Sequence, residues 1–328
     1  MINISIIIPV YNGEKYIRRC LNSITKNKEL NKLIEIIVVN DNSTDNTKEI
    51  INNYIKNNSN LNIQLINNCS NKGCGYSRNV GIDYSNGKYI IVIDSDDAIN
   101  PDVLLEMYNH LEKYDEDYCM CRHVNVNKGN YIYIKNSTYM KYFNIDDDIV
   151  NGNIIDYPQL LRMATIWNIL LKKDLLIENN LYFETNVVHD DTVLVYYLHH
   201  YGKKFGFINK VGYYYYDNEK GLTASTDLDE NNNLNFNYLI PILKNKKLNN
   251  IYKFYVGYYS FYYFPCQYLP FNINIKYFKN ILEEYFKYVN ENKIMNKLKE
   301  DNILLYKFYK SIMNNDIKTY NLLKNKIL

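Results

Sequence analysis

Asp94, Asp96 and Asp97 crowd into the run YIIVIDSDDAINP, Tyr89 to Pro101, directly after five apolar or aromatic residues. Carboxylates that close repel one another and resist leaving water. A cation offsets that cost, and a divalent metal with oxygen ligands is one candidate. Asp97 could instead cap the helix that Pro101 is suited to open.

Two more polar clusters follow apolar runs. PVYN (9–12) brings Pro9, Tyr11 and Asn12, and NDNSTD (40–45) brings Asp41, Ser43 and Asp45. Asp41, Ser43 and Asp45 could simply start a helix. Arg78 sits early in a helical stretch after the Gly loop GCG (73–75). A guanidinium beside a helix N-terminus suits a diphosphate, and a surface ion pair is the plainer alternative. In VHDDTV (188–193), His189, Asp190 and Asp191 could serve an acid–base step or only begin a helix.

The elements that must hold these residues follow from apolar periodicity. ISIIIPV (4–10), IEIIVVN (34–40), NIQLIN (62–67) and KYIIVID (88–94) predict strands. Helical spacing predicts helices over about 14–26, 44–57, 73–85 and 101–114. Continuous apolar strands between helices predict a mostly parallel, doubly wound α/β sheet with helices on both faces. Ligands of such sheets bind beyond the carboxyl ends of the strands, and all three polar clusters fall there. Further on, YCMCRHVNV (118–126) predicts a strand, KGN (128–130) a hairpin turn, Asp146 to Asp148 a solvated loop and VGYYYYD (211–217) a late strand.

With 328 residues and 47% apolar residues, the chain can bury a large core. The expected organisation is a domain over 1–230, divided at about 125 into two halves, then a helical region over 231–328. That last region holds 15 Lys, no Arg and 6 acidic residues, a balance of +9 against −7 for the first 230. The Lys excess reads as a solvated helical face, or more sharply as a surface attracted to anionic membrane. Six cysteines contain no CxxC pair, and none of the apolar runs reaches the ~18 residues that span a membrane. Core thiols and no secretory signal predict a cytoplasmic protein, peripheral on the inner membrane face if the Lys-rich region binds there. A Rossmann GxGxxG after the first strand is missing, as is a GxxxxGK[ST] phosphate loop. No nucleic-acid partner is expected, and an oligomer is left open.

Six blocks carry a resemblance: SIIIPVYNGEKYIRRCLNSI (5–24), IEIIVVNDNSTDNT (34–47), NKGCGYSRNVGI (71–82), GKYIIVIDSDDAINPD (87–102), IWNILLKKDLL (166–176) and HDDTVLVYYL (189–198). In this order the chain resembles family 2 glycosyltransferases over roughly residues 3–217. The resemblance implies a GT-A fold and inverting transfer of a sugar from a nucleotide-sugar donor, assisted by Mn or Mg. The acceptor would be a glycan or lipid-linked hydroxyl in a cell-envelope polysaccharide.

By that resemblance DSD is a DXD motif in which Asp96 ligates the metal, while Asp94 meets the ribose or supports Asp96, with Ser95 between them. Asp41 matches a base-reading aspartate, able to accept from the N3–H of uracil, and so favours UDP. Asn40 stands where the family often has another aspartate. Pro9, Tyr11 and Asn12 fall where the nucleotide pocket begins, with Tyr11 able to stack on the base. VHDDTV takes the place of a usual Glu-Asp pair, so Asp191 would be the general base and Asp190 an acceptor contact. Trp167 would line the acceptor side, with core packing the equal alternative. A non-catalytic nucleotide-sugar or glycan-binding module is the main rival. A nucleotidyltransferase is less compatible with PVYNGEKY, which lacks a Gly-rich basic loop.

Overall fold

The computed structural model describes residues 2–127, 130–132, 147–162, 165–185, 190–218 and 286–320, with isolated positions between 242 and 283 and Leu323. His189 and all of the aromatic segment 258–271 except Tyr258 lie outside the described residues, as do six of residues 276–289. The chain divides into two units, Met1–Tyr157 with Ala164–Ser225, and Pro158–Met163 with Thr226–Leu328.

The first unit begins with alternating elements: β1 (Ile4–Val10), α1 (Ile17–Ile24), β2 (Ile34–Asn40), α2 (Thr47–Asn57), β3 (Ile63–Asn67), α3 (Cys74–Tyr84) and β4 (Tyr89–Val92). A short β5 (Ala98–Ile99), α4 (Pro101–Tyr114), β6 (Tyr118–Asn127), β7 (Asn130–Ile132) and β8 (Ile149–Gly152) follow. β9 (Ile169–Lys172), α5 (Lys173–Glu178), α6 (Asp190–Tyr201) and β10 (Phe205–Tyr216) complete the described unit. The strands form one sheet in the order β3-β2-β1-β4-β9-β6-β10-β5, with β7 on β6 and β8 on β10.

The β3-β2-β1-β4 half is parallel throughout, and β6 pairs parallel with β10. β9 runs antiparallel between β4 and β6 and joins the two halves. β1, β2 and β4 are buried along their whole length, as β-branched runs covered on both faces should be. Even-numbered β1 residues join α1, α2 and α4 in one core, whereas Ile7 points to α3 on the opposite face. There Gly81 lets the helix approach, since a Cβ would collide with Ile7 Cγ2.

Parallel register decides what emerges at the rim. Ile4 aligns with Ile34 and Tyr89, and Val10 with Asn40. The residues after Val10, Asn40 and Val92 therefore leave the sheet at the same edge. The expected strand over 88–94 ends as regular strand at Val92, although the Ile93 N–H still donates to Ile7 O at 2.9 Å.

The cap of α4 needs a correction. Asn100, not Asp97, caps it, accepting from the Asp102 N–H at 3.1 Å with Pro101 in the first turn. β5 intervenes, so Asp97 lies too early in the chain to reach the helix N-terminus. Of the expected acidic loop, Asp147 and Asp148 are described and exposed, and Asp148 Oδ1 accepts from the Asn209 N–H at 2.7 Å. β7 pairs antiparallel with β6 through Asn127 and Asn130, which fits a hairpin whose central residues lie outside the described set.

In the second unit, α7 (Glu291–Asp301) and α8 (Ile303–Met313) are capped by the Asn290 and Asn302 side chains. Ile294, Met295 and Leu298 of α7 and Leu305, Phe308, Tyr309 and Ile312 of α8 form its buried apolar faces. Tyr320 stacks on Phe308 with ring centroids 5.5 Å apart. Among the described residues, no helix is long and apolar enough to cross a membrane.

Candidate functional site

Asp94, Ser95, Asp96 and Asp97 turn the chain between β4 and β5. Asp94 Oδ1 accepts from Arg78 at 2.8 Å, in an ion pair whose guanidinium is almost wholly buried. Asp96 is half-buried, and its Oδ2 accepts from Asn218 Nδ2 at 2.8 Å. Burial, then the Asp94 charge, raises the Asp96 pKa above the ordinary carboxylate value. Arg19 in α1 donates to the Asp96 carbonyl oxygen and lies over the Tyr216 ring, 3.6 Å from its centroid. Tyr16 donates to Asn218 Oδ1 at 3.2 Å, so the end of β10 is tied both to α1 and to the carboxylate turn.

Asp97 has a different place from its two neighbours. It is 1% exposed, accepts from Tyr213 Oη at 2.6 Å and accepts from the Tyr216 N–H at 2.8 Å. Burial, then the Asp94 and Asp96 charges, pushes its pKa well above the carboxylate range. Asp97 therefore anchors the turn to β10.

The first two rim loops are laced together. Asn12 has φ 51°, donates its N–H to Ser43 Oγ at 3.0 Å and accepts from the Thr44 N–H at 2.8 Å. Pro9 is buried within β1, while Tyr11 stands half exposed just beyond it. Gly13 lies beside the turn, because a Cβ there would be 3.7 Å from Ser95 Oγ.

Asp41 is buried at the end of β2 and grips the following loop. Its carboxylate accepts from Asn68 Nδ2 at 2.7 Å, the Lys72 N–H at 2.9 Å and the Gly73 N–H at 2.8 Å. Gly73 has φ +86°, a conformation open to glycine, and directly precedes α3. Asn40 explains its own amide: it donates to Asn67 Oδ1 at 2.9 Å and accepts from the Ser43 N–H at 3.1 Å. An ionised aspartate there could not donate to Asn67.

Trp167 is 7% exposed and belongs to the core. Its ring stacks on Tyr213 at 4.3 Å and meets His123 edge-on at 4.8 Å. This is the packing alternative for Trp167, and it leaves little of the ring open to an acceptor. Asp190 and Asp191 open α6, where Asp191 is partly exposed.

The structure thus gathers Asp94, Ser95, Asp96 and Arg78 at one place, beside Gly13 of the first loop, and packs Trp167 behind Tyr213. Sequence reasoning missed Arg19, Asn68, Tyr213 and Asn218. Only Arg19 left a trace, one helical turn after Tyr16. Among the described residues, no group of three or more His, Cys, Asp or Glu side chains surrounds a metal position. Mg-type sites commonly use one or two carboxylates plus substrate phosphates and water, so a cation at Asp96 remains chemically compatible.

The rim residues from Pro9 to Asp97 fall within the segment matched by a known family. Residues 5–167 match the family described as Glycosyl transferase family 2. A poly(ribitol-phosphate) beta-glucosyltransferase of Bacillus spizizenii is 32% identical over 215 residues, 65% of this chain. The match spans 32% of that relative's length. Among solved structures, Staphylococcus aureus TarS 1–349 superimposes with TM-score 0.73 at 20% identity, over 99% of this chain and 90% of the other. TarS 1–349 has also been crystallised with UDP and with UDP-GlcNAc. Mannosyltransferase PcManGT of Pyrobaculum calidifontis, in complex with GDP-Man and Mn2+, gives TM-score 0.57 at 14% identity, over 99% and 84% of the two chains. These structural likenesses show the fold, which is GT-A, and the family match with the relatives identifies the chain as a member of glycosyl transferase family 2.

Proposed function

We propose that the chain transfers a sugar, with inversion, from a nucleotide-sugar donor to a hydroxyl of a glycan or lipid-linked acceptor. The observation that carries this reading is the DSDD turn beyond the parallel strands, with Asp96 half-buried and its pKa raised beside Asp94. UDP is the favoured nucleotide, supported by Asp41 and by the UDP complexes of TarS. A cell-wall polymer acceptor agrees with the poly(ribitol-phosphate) relative.

A divalent Mn or Mg held by Asp96 would supply neutralising charge to a departing nucleoside diphosphate. Arg78, fixed by Asp94, adds positive charge on the same rim, and the half-exposed Tyr11 offers a ring face for a base. Asp191 accepts the proton of the attacking hydroxyl, which makes that oxygen nucleophilic. Asp190 contacts the acceptor. The Lys-rich C-terminal region would hold the protein against an anionic membrane surface on the cytoplasmic side.

Calorimetric titration of UDP, GDP, CDP and dTDP, each with and without Mn, tests the donor side. The expected result is UDP binding that requires Mn. No binding of any nucleotide would overturn the transferase reading and leave a glycan-binding module in its place.

A further inference from the structure

The Tyr213 hydroxyl is wholly buried, yet it makes two polar contacts with the carboxylate turn. It donates to Asp97 Oδ2 at 2.6 Å and accepts from the Asp94 N–H at 3.2 Å. The two ends of DSDD are therefore held by one oxygen, more than 100 residues away in sequence. Tyr216, three residues further along β10, adds its N–H to Asp97 Oδ1. The other face of Tyr213 carries the indole of Trp167, stacked at 4.3 Å with an interplanar angle of 20°. His123, the register partner of Tyr213 on β6, closes against the same indole.

This geometry has a consequence for the carboxylates. Asp94 and Asp96 must keep a fixed separation from each other and from Arg78 to receive a cation and a diphosphate. A turn of four residues cannot fix them alone, because each residue adds two free backbone dihedrals. Asp97 and the Asp94 N–H are the points through which β10 holds the turn.

We propose that Tyr213 is a positioning residue for the donor site, clamping the DSDD turn through Asp97 and the Asp94 amide and coupling it mechanically to Trp167. The proposal rests on the donor-site reading above. Binding of a metal–nucleotide at Asp94 and Asp96 then strains the Tyr213 hydroxyl contacts and shifts the ring stacked on Trp167. Trp167 is the sole tryptophan of the chain, so its emission isolates this event.

The experiment is titration of the full chain with UDP and Mn, followed by tryptophan emission and, in parallel, by calorimetry. Wild type should bind and change its emission on saturation. Tyr213→Phe keeps the stacked ring and loses only the hydroxyl. It should bind Mn–UDP about tenfold more weakly, as expected for one lost hydrogen bond to a charged group. Its residual binding should leave emission unchanged. Asp97→Asn, in which one amide oxygen cannot serve both Tyr213 and Tyr216, should behave the same way and stands in if Tyr213→Phe does not fold. Wild-type affinity with a wild-type emission change in either folded variant overturns the clamp while leaving the donor site intact. Wild type that binds Mn–UDP calorimetrically with constant emission also overturns the coupling. Wild type that binds nothing overturns the donor-site reading itself, and the clamp with it.

Discussion

The Asp41 carboxylate and the Gly73 amide are 2.8 Å apart, joining the end of β2 to the residue that launches α3. Asp41 also holds Asn68 and the Lys72 N–H, so one buried side chain organises the loop that delivers Arg78. Asp41→Ala should release these donors and cost about 2–3 kcal/mol, the usual penalty for stranding buried partners of a charged acceptor. Amide exchange at Lys72 and Gly73 should accelerate well before global unfolding. Unchanged protection at both amides would show that the loop stands without Asp41.

Arg78 and Asp94 form a buried pair at 2.8 Å, with the carboxylate side chain 26% exposed. Removing one partner of such a pair is costly because the other charge stays behind. Arg78→Ala should lower stability by about 3 kcal/mol, the low end for buried pairs because Asp94 retains some water. High salt should rescue little of it, since a buried pair is poorly screened. Denaturant unfolding at low and high salt reads both effects. A midpoint equal to wild type would reduce the pair to a surface contact.

Asp191→Asn should leave nucleotide binding nearly intact and reduce transfer by at least ~100-fold, the ordinary contribution of a general base. The neighbouring Asp190→Asn should act mainly on acceptor KM. Steady-state kinetics with a soluble acceptor separates the two. Near-normal turnover in Asp191→Asn would move the proton acceptor elsewhere.

His199 predicts an acid sensitivity of the fold. Burial lowers its pKa to about 3, and its Nδ1 pairs with Tyr118 Oη at 2.7 Å. The unfolded chain takes up this proton near pH 6.5, the folded chain only near pH 3. Unfolded protein therefore binds more protons within that window, and stability falls as pH drops through it. Above about pH 6.5 the group adds no pH dependence. Equilibrium unfolding between pH 4 and 7 should show His199→Asn losing less stability on acidification, by ~1.4 kcal/mol per pH unit at most. Parallel pH slopes would show that His199 is not protonated on unfolding in this range.

Much of the parallel half was legible from local pattern. Ile4–Val10, Ile34–Asn40 and Pro101–Tyr114 have the bounds that apolar runs, turn residues and an N1 proline imply. Their legibility has a simple cause: a parallel strand buried on both faces must be apolar throughout. The later strands were harder. β9 is only four residues long, and its pairing partners are distant in sequence. β5 has two residues and no pattern that could announce it.

The candidate site divides along the same line. Asp41, Asp94 and Asp96 were visible because polar residues end apolar strands, and parallel register brings such ends together. Their partners were not. In a chain with 36 tyrosines, nothing local singles out Tyr213, and nothing singles out Asn218 among the asparagines.

The amino-acid sequence by itself determined the parallel strands, the rim at which their polar ends collect and the family of the chain. Those features depend on residue type and short-range spacing. Tertiary structure alone decided that Asp97 anchors to Tyr213, that Arg78 meets Asp94 and that Trp167 belongs to the core. Each of those roles depends on which distant group fills the other half of a hydrogen bond, an ion pair or a ring contact, and only the folded chain brings those halves together.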